Sequence, residues 1–158
     1  MSEELKKQTI LIISDDISSI RILVPILKFD YSVNAAFDVR RGINLAIEKH
    51  PDLILLDTVM PEMSGYRVCE RLKNDEGTMD ITVIFMTSET SGRDELKGYE
   101  AGGVDYIIKP LNPVITKRRI KTYLELKKQT DFLRWMLRER PREMQEMEKE
   151  YTKPQPTC

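Results

Sequence analysis

Five polar residues follow strongly apolar runs of the sequence, and together their side chains could handle a phosphoryl group. Asp15 and Asp16 come just after "TILII", Asp57 after "LILL", Thr87 after "VIFM" and Lys109 after "YII". Three carboxylates brought together would repel one another unless a cation lay between them. A small carboxylate site that keeps some of the water of the ion suits Mg²⁺. With an ammonium and a hydroxyl nearby to neutralise phosphoryl oxygens, Asp57 is a candidate nucleophile that would form an acyl phosphate.

The elements that must position these residues follow from the hydrophobic pattern, in which short apolar runs alternate with amphipathic segments. Strands are predicted at residues 9–14, 31–36, 52–57, 81–88 and 104–109, and helices at residues 17–29, 39–50, 65–75 and 92–102, with a long charged helix from Asn112. This alternation is typical of parallel strands with right-handed crossovers, so we expect a doubly wound α/β sheet. Ligands bind such sheets at the carboxyl ends of the strands, which is where the five polar residues lie.

Each of these residues also has a purely structural interpretation. Asp16 could cap the helix that begins at Ile17, since Asp accepts hydrogen bonds from the N–H groups of a first helical turn. Thr87 could simply pack at a strand end, and Lys109 could be a turn residue before Pro110. The convergence of several strand ends on one edge favours a joint site.

Four segments, "SDD", "LDTVMPEMSG", "MTS" and "DYIIKP", resemble in order and spacing the receiver domain of two-component response regulators. The resemblance covers about residues 8–125. It implies a flavodoxin-like sheet of five parallel strands in the order 2-1-3-4-5. It also implies a phosphorelay module that takes a phosphoryl group from a histidine kinase and controls an output domain or partner. Such a module promotes its own phosphorylation and dephosphorylation and is not a turnover enzyme.

The same resemblance implies a role for each matched residue. The phosphoacceptor would be Asp57, and the Mg²⁺ ligands would be Asp15, Asp16, Asp57 and the backbone carbonyl of Val59. The lysine that contacts the phosphate would be Lys109, before a cis Pro110. The switch residues would be Thr87 and Tyr106. On phosphorylation Thr87 would move towards the phosphoryl group and Tyr106 would rotate inward. The surface of the fourth helix, fifth strand and fifth helix would then change. Alternatively, Tyr106 is only a half-exposed strand aromatic.

Composition and charge narrow the class of protein further. The 158-residue sequence has no run of ~20 apolar residues that could span a membrane, and its N-terminus lacks the apolar core of a secretory signal. Two cysteines give no disulfide framework, so we expect a cytoplasmic protein. A single histidine, His50, excludes a zinc cluster of histidines. Residues 1–112 carry 13 basic and 19 acidic residues, whereas residues 113–158 carry 12 basic and 7 acidic residues. A basic C-terminal segment could contact nucleic acid, but we favour a solvated basic helix.

The C-terminal region continues beyond the resemblance, and we expect a receiver domain at 1–125, a helical extension at 126–150 and a disordered tail at 151–158. A heptad-like seam of 3-4 spacing runs through Tyr123, Leu126, Thr130, Leu133, Leu137, Arg140, Met144, Met147 and Tyr151. Pro141 should interrupt the helix. Two interpretations compete: a dimerising coiled coil that leads to an output domain, which we favour, and a helix that folds back on its own receiver.

Two other functional classes share part of the pattern. A phosphohydrolase of the haloacid dehalogenase type also uses an Asp nucleophile, Mg²⁺ and a Lys, but it needs a second Asp two residues after the nucleophile, where Val59 stands. A flavin-binding protein of the same topology would need a Ser, Thr and Gly loop around phosphate after the first strand. The two adjacent aspartates there would repel a phosphate in the absence of a metal.

Overall fold

The computed structural model of the chain describes residues 6–88, 92–138 and 142–152. Five strands and six helices are described: β1 Thr9–Ile13, α1 Ile17–Leu27, β2 Ser32–Ala36, α2 Val39–Lys49, β3 Leu53–Asp57, α3 Gly65–Lys73, β4 Thr82–Thr87, α4 Gly92–Ala101, β5 Asp105–Ile108, α5 Pro113–Arg138 and α6 Arg142–Tyr151. All strands pair in parallel in the order β2-β1-β3-β4-β5. The predicted doubly wound sheet and its strand order are therefore confirmed.

The central strand β3 shows why its sequence is a continuous apolar run. Leu53 and Leu55 pack in one hydrophobic cluster with residues of α1 and α5. Ile54 and Leu56 point to the opposite face and pack in a second cluster with residues of α2, α3 and α4. All four are fully buried, because helices cover both faces of a parallel sheet. The strand therefore needs no polar residue until it reaches the edge of the sheet at Asp57.

Four helices begin with a side chain that caps their free backbone N–H groups, and at α1 this side chain is that of Asp16. The carboxylate of Asp38 accepts a hydrogen bond from the Arg41 amide at 2.7 Å at the start of α2. Ser64 caps α3 in the same way, and Asn112 caps α5 through two amides. Such caps set the first residue of each helix. They explain why α2 and α3 begin at the predicted residues, Val39 and Gly65.

The chain divides into two compact units, residues 1–124 and 125–158. The first unit contains the sheet and the two hydrophobic clusters. The second contains the last part of α5 and the helix α6, in which Leu126, Leu133, Leu137 and Met147 are exposed. The predicted interruption at Pro141 and most of the predicted disordered tail lie outside the described residues.

Among the helices in the described ranges, none combines the length and the apolar character that crossing a membrane requires.

Candidate functional site

Asp57 is the last residue of β3 and lies at the carboxyl edge of the sheet, where its side chain is only 6% exposed. Its Oδ2 atom accepts a hydrogen bond from the Ser14 hydroxyl at 2.8 Å and another from the Lys109 ammonium at 2.6 Å. These two partners stand 43 and 52 residues away in the sequence and follow β1 and β5. The sheet therefore brings three strand ends together around one buried carboxylate.

Lys109 joins two carboxylates. Its Nζ atom lies 2.6 Å from Asp57 Oδ2 and 3.1 Å from Asp16 Oδ2. Burial acts to lower the pKa of Lys109, but the hydrogen bonds and charges of Asp57 and Asp16 outweigh it, so the pKa is raised. The Lys109–Pro110 peptide bond is cis, as the resemblance implied. The lysine is therefore held as an ammonium that bridges the ends of β1 and β3.

Asp16 combines the two roles that the sequence left as alternatives. Its Oδ1 accepts from the Ser18 amide at 3.1 Å and caps α1, so the capping interpretation is confirmed. Its Oδ2 accepts from the Ser19 hydroxyl at 2.7 Å and from Lys109. The pKa of Asp16 is lowered, and the Ser19 hydrogen bond is the largest cause; burial acts in the opposite direction, and the hydrogen bond and charge of Lys109 add to the lowering. One carboxylate thus fixes the start of α1 and takes part in the charged cluster.

The loop from β3 to α3 is folded tightly against Asp57. The Gly65 amide donates to the Thr58 carbonyl at 2.9 Å, and the Thr58 amide donates to the Met86 carbonyl of β4 at 3.0 Å. A Cβ atom at Gly65 would lie 2.1 Å from the Asp57 carbonyl oxygen, so only glycine fits this position. This contact explains the glycine of "PEMSG", and the side chain of Val59 in the same loop is exposed.

Thr87 and Tyr106 lie on the neighbouring strands. Thr87 is the last residue of β4, is buried, and pairs in register with Ile108 of β5. Its carbonyl accepts a hydrogen bond from the Lys109 amide at 2.8 Å, which fixes the lysine backbone beside it. Tyr106 on β5 is 5% exposed, so the interpretation as a half-exposed strand aromatic is wrong.

The cluster provides oxygen ligands for a cation. Asp16 and Asp57 already converge on one cationic group, the ammonium of Lys109. Asp15 is exposed and forms no hydrogen bond or ion pair with any described residue. Within the described ranges, no three acidic, histidine or cysteine side chains come together as a metal cluster. Magnesium keeps several waters and commonly binds proteins through one or two carboxylates. Two converging carboxylates beside water-accessible space therefore fit Mg²⁺.

Two residues of this region were missed from the sequence. Ser14 is fully buried, and its hydroxyl accepts from the Asp16 amide at 3.0 Å as well as donating to Asp57. Its signal was a hydroxyl residue directly after an apolar strand, at the start of "SDD". Tyr66 in the first turn of α3 lies 3.2 Å from Tyr106 through the two hydroxyl oxygens. No feature of the sequence indicates that these two rings meet.

Comparison with known proteins places these features in one family. The family model for the response regulator receiver domain matches residues 10–121. A Vibrio cholerae protein named "Probable cyclic di-GMP phosphodiesterase" is 38% identical over 131 residues, which cover 83% of this chain and 30% of that protein. A DNA-binding dual master transcriptional regulator of Synechocystis is 37% identical over 117 residues, which cover 73% of this chain and 48% of that protein.

Solved structures of response regulators share the fold of this chain. A response regulator receiver domain protein of Methanospirillum hungatei superposes with a TM-score of 0.73 at 26% identity, covering 79% of this chain and 99% of that one. The chain spans less than half the length of the two curated relatives. From its strand order, its buried aspartate and the extent of the family match, the chain belongs to the response regulator receiver domain family of two-component signalling proteins.

Proposed function

We propose that Asp57 accepts a phosphoryl group from a histidine kinase and that the chain works as the receiver of a phosphorelay. The observation that supports this proposal is that the buried carboxylate of Asp57 accepts hydrogen bonds from both the Ser14 hydroxyl and the Lys109 ammonium. Both described hydrogen bonds to this carboxylate go to Oδ2, so Oδ1 is the oxygen that attacks phosphorus. Lys109, whose ammonium bonds Oδ2, and Thr87, the last residue of the neighbouring strand β4, would neutralise and orient phosphoryl oxygens. The chain promotes its own phosphorylation and dephosphorylation and turns over no outside substrate.

Magnesium is the cofactor of this proposal, and Asp15, Asp16, Asp57 and the Val59 carbonyl would hold it. The convergence of Asp16 and Asp57 on one cationic position supports the first part of this set. The inclusion of Asp15 and Val59 rests on the resemblance of the "SDD" and "LDTV" segments to receiver domains. When bound, the ion supplies positive charge to the phosphoryl oxygens. The lysine ammonium supplies a second, fixed charge.

The signal would leave through Thr87 and Tyr106. A phosphoryl group adds about −1.5 to −2 charge and three acceptor oxygens, which can draw the Thr87 hydroxyl towards Asp57. Thr87 and Tyr106 lie on adjacent strands, and in this proposal a shift of Thr87 would change the space open to Tyr106. The surface of α4, β5 and α5 exposes the apolar side chains of Leu96, Ile108 and Val114, which supports docking of an output domain or partner there.

We further propose the domain division 1–125, 126–150 and 151–158, with the middle segment as a dimerising coiled coil that leads to an output domain. Exposed leucines at heptad spacing, Leu126 and Leu133, support a second copy of the same helix as their cover. The phosphodiesterase and DNA-binding names of the longer relatives support the general idea of an appended output. We place the chain in the cytoplasm and expect neither a membrane nor a nucleic acid as its direct partner.

The test is to treat the chain with acetyl phosphate and Mg²⁺ and to locate the added phosphoryl group by mass spectrometry. We expect one phosphoryl group on Asp57, none on the Asp57→Asn variant, and much less on the wild-type chain after chelation of Mg²⁺. Asp52→Asn is a matched control, because Asp52 immediately precedes the same strand at its opposite end and accepts a hydrogen bond from the Thr9 amide. Labelling of Asp57→Asn equal to that of wild type would falsify the assignment.

A further inference from the structure

The ring of Tyr106 is seated in a cluster of aromatic side chains from four elements. The Phe85 ring of β4 lies 5.4 Å from it between centroids, and the Tyr99 ring of α4 lies 5.8 Å away and edge-on. The Tyr66 ring of α3 in turn packs on Phe85 at 5.1 Å. Offset and edge-to-face arrangements at these distances are favourable. The inward position of Tyr106 is therefore surrounded by contacts on several sides.

A glycine in α4 makes room for the hydroxyl end of this ring. A Cβ atom at Gly98 would lie 2.0 Å from the Tyr106 hydroxyl oxygen and 2.5 Å from its ring carbon Cζ. No other residue type could stand there with Tyr106 in its present position. Glycine weakens the interior of a helix, so its presence in the middle of α4 has a packing reason. The slot in α4 is thus shaped for the inward tyrosine.

The hydroxyl at the bottom of this slot is hydrogen bonded to Tyr66. Tyr106 Oη donates to Tyr66 Oη at 3.2 Å, and a buried phenol hydroxyl needs such a partner. Tyr66 follows Gly65, whose amide bonds the carbonyl of Thr58, the residue after Asp57. A continuous set of contacts therefore runs from the phosphoacceptor loop through α3 to β5. This route is separate from the one through Thr87.

We infer that Tyr66 is a positioning residue whose hydroxyl holds Tyr106 inward, so that the inward position is already populated before Asp57 is phosphorylated. The contacts between described residues that seat the ring are made by the chain itself and involve no phosphoryl group. The link between this position and phosphorylation rests on the proposed function. A state that is already populated lowers the cost for any ligand that prefers it. Tyr66 would therefore raise the affinity of the site for a phosphoryl group or its analogue.

The position of Tyr106 is tested by NMR of the full unmodified chain labelled with ¹³C at the ring Cε atoms of its six tyrosines. The Tyr106 signal is assigned with Tyr106→Phe, and Gly98→Ala gives the outward reference, because its methyl group fills the slot. We expect the wild-type signal to differ clearly from that reference. In Tyr66→Phe the ratio of outward to inward Tyr106 should rise by about fivefold, the effect of losing one net hydrogen bond. Tyr99→Phe is the matched control, because its ring also contacts Tyr106 but its hydroxyl does not bond to it, and it should shift the population less than twofold.

The result that overturns the inference is a wild-type Tyr106 signal at the outward reference, or a Tyr106 signal in Tyr66→Phe equal to that of wild type. The wild-type measurement decides the first point even if Tyr66→Phe fails to fold. A second readout is beryllofluoride affinity in the presence of Mg²⁺, which should fall in Tyr66→Phe by the same factor as the inward population, about fivefold at most, and stay unchanged in Tyr99→Phe. If acetyl phosphate does not phosphorylate Asp57 in the wild-type chain, the proposed function fails and the NMR result still stands. If Asp57 is phosphorylated but Tyr106 is outward in the unmodified chain, only the inference fails.

Discussion

The two units of the chain use the same residue types in opposite surroundings. In the receiver unit, Leu53 and Leu56 of β3 are completely buried, because helices from both faces of the sheet cover them. In the extension, Leu133 and Leu137 are 60% and 65% exposed, although they recur at a regular spacing. A hydrophobic pattern therefore predicts that a face will be covered, but it does not say by which molecule.

The polar contacts differ between the units in the same way. The partners of Asp57 come from strand ends that are more than forty residues away in sequence, so the topology of the sheet creates the site. In the extension, the ion pairs between described residues are local, such as Lys127 with Asp131 at 3.3 Å and Arg142 with Glu146 at 3.3 Å. The Arg142–Glu146 pair is exposed on both sides and contributes only about 0.3–0.5 kcal/mol, whereas the Lys127 side chain is only 8% exposed. The ion pairs of the extension thus follow from the periodicity of a helix, and those of the site follow from the topology of the sheet.

The largest effect that would sharpen this comparison comes from one substitution made in both units. Leu56→Ala should lower the free energy of unfolding of the receiver by about 2–5 kcal/mol, because it removes buried methyl groups and leaves a cavity. Leu133→Ala should change the same free energy by less than about 0.5 kcal/mol, since the side chain is exposed. Urea unfolding, monitored by circular dichroism at equal protein concentration, measures both.

An equal loss of stability in the two variants would break the comparison. It would mean that Leu133 is covered, and unfolding at two protein concentrations would identify the cover: a loss that depends on concentration indicates a second copy, and one that does not indicates the receiver of its own chain. A loss confined to Leu56→Ala would show that the receiver does not cover Leu133.

A smaller effect is expected from the buried cysteine of α3. Cys69 is fully buried with its Sγ atom 3.3 Å from the Ala101 carbonyl, and burial raises its pKa to about 11 from 9.0. Between these values the native chain binds more protons than the unfolded chain, so stability present below pH 9 is lost as the pH rises towards 11. Over that window the wild-type chain should lose about 2 kcal/mol more than Cys69→Ala.

Urea unfolding at several values of pH from 8 to 10.5 would show this difference as a steeper decline for the wild-type chain. Cys158→Ser, which removes the other thiol, is the control and should follow the wild-type profile. Parallel profiles for the wild-type chain and Cys69→Ala would show that the Cys69 thiol ionises as readily in the folded protein as in the unfolded one.

The fold was predictable from sequence because each local signal agreed with the next. The apolar run before Asp57, the caps at Asp38 and Ser64, and the glycine at residue 65 all indicate the same strand and helix boundaries. Parallel topology then requires that the strand ends meet at one edge. This is why Asp16, Asp57 and Lys109 could be grouped before any distance was known.

The contacts that the sequence did not predict depend on side-chain direction. A serine after a strand can cap, pack or donate to a neighbour, and only the register of β1 against β3 places the Ser14 hydroxyl on Asp57. The meeting of Tyr66 with Tyr106 depends on how α3 lies over β4 and on the missing Cβ of Gly98. Such features arise from packing between elements that are far apart in sequence, and hydrophobic periodicity carries no information about them.

The smallest effect on stability should come from removing the extension itself by ending the chain after Glu125. The last residues of α5 that are buried in the receiver unit are Ile120 and Leu124, and the Leu124 carbonyl accepts a hydrogen bond from Gln8 at 2.8 Å. The shortened chain keeps all of these groups, and the carbonyls freed at the new helix end are solvated by water. The free energy of unfolding of the receiver should therefore change by less than about 0.5 kcal/mol, as measured by urea unfolding.

Light scattering of both chains at one concentration should show a dimer for the full chain and a monomer for the shortened one. A strictly monomeric full chain would remove the coiled coil, and a loss of several kcal/mol on truncation would show that the receiver relies on a helix that folds back on it.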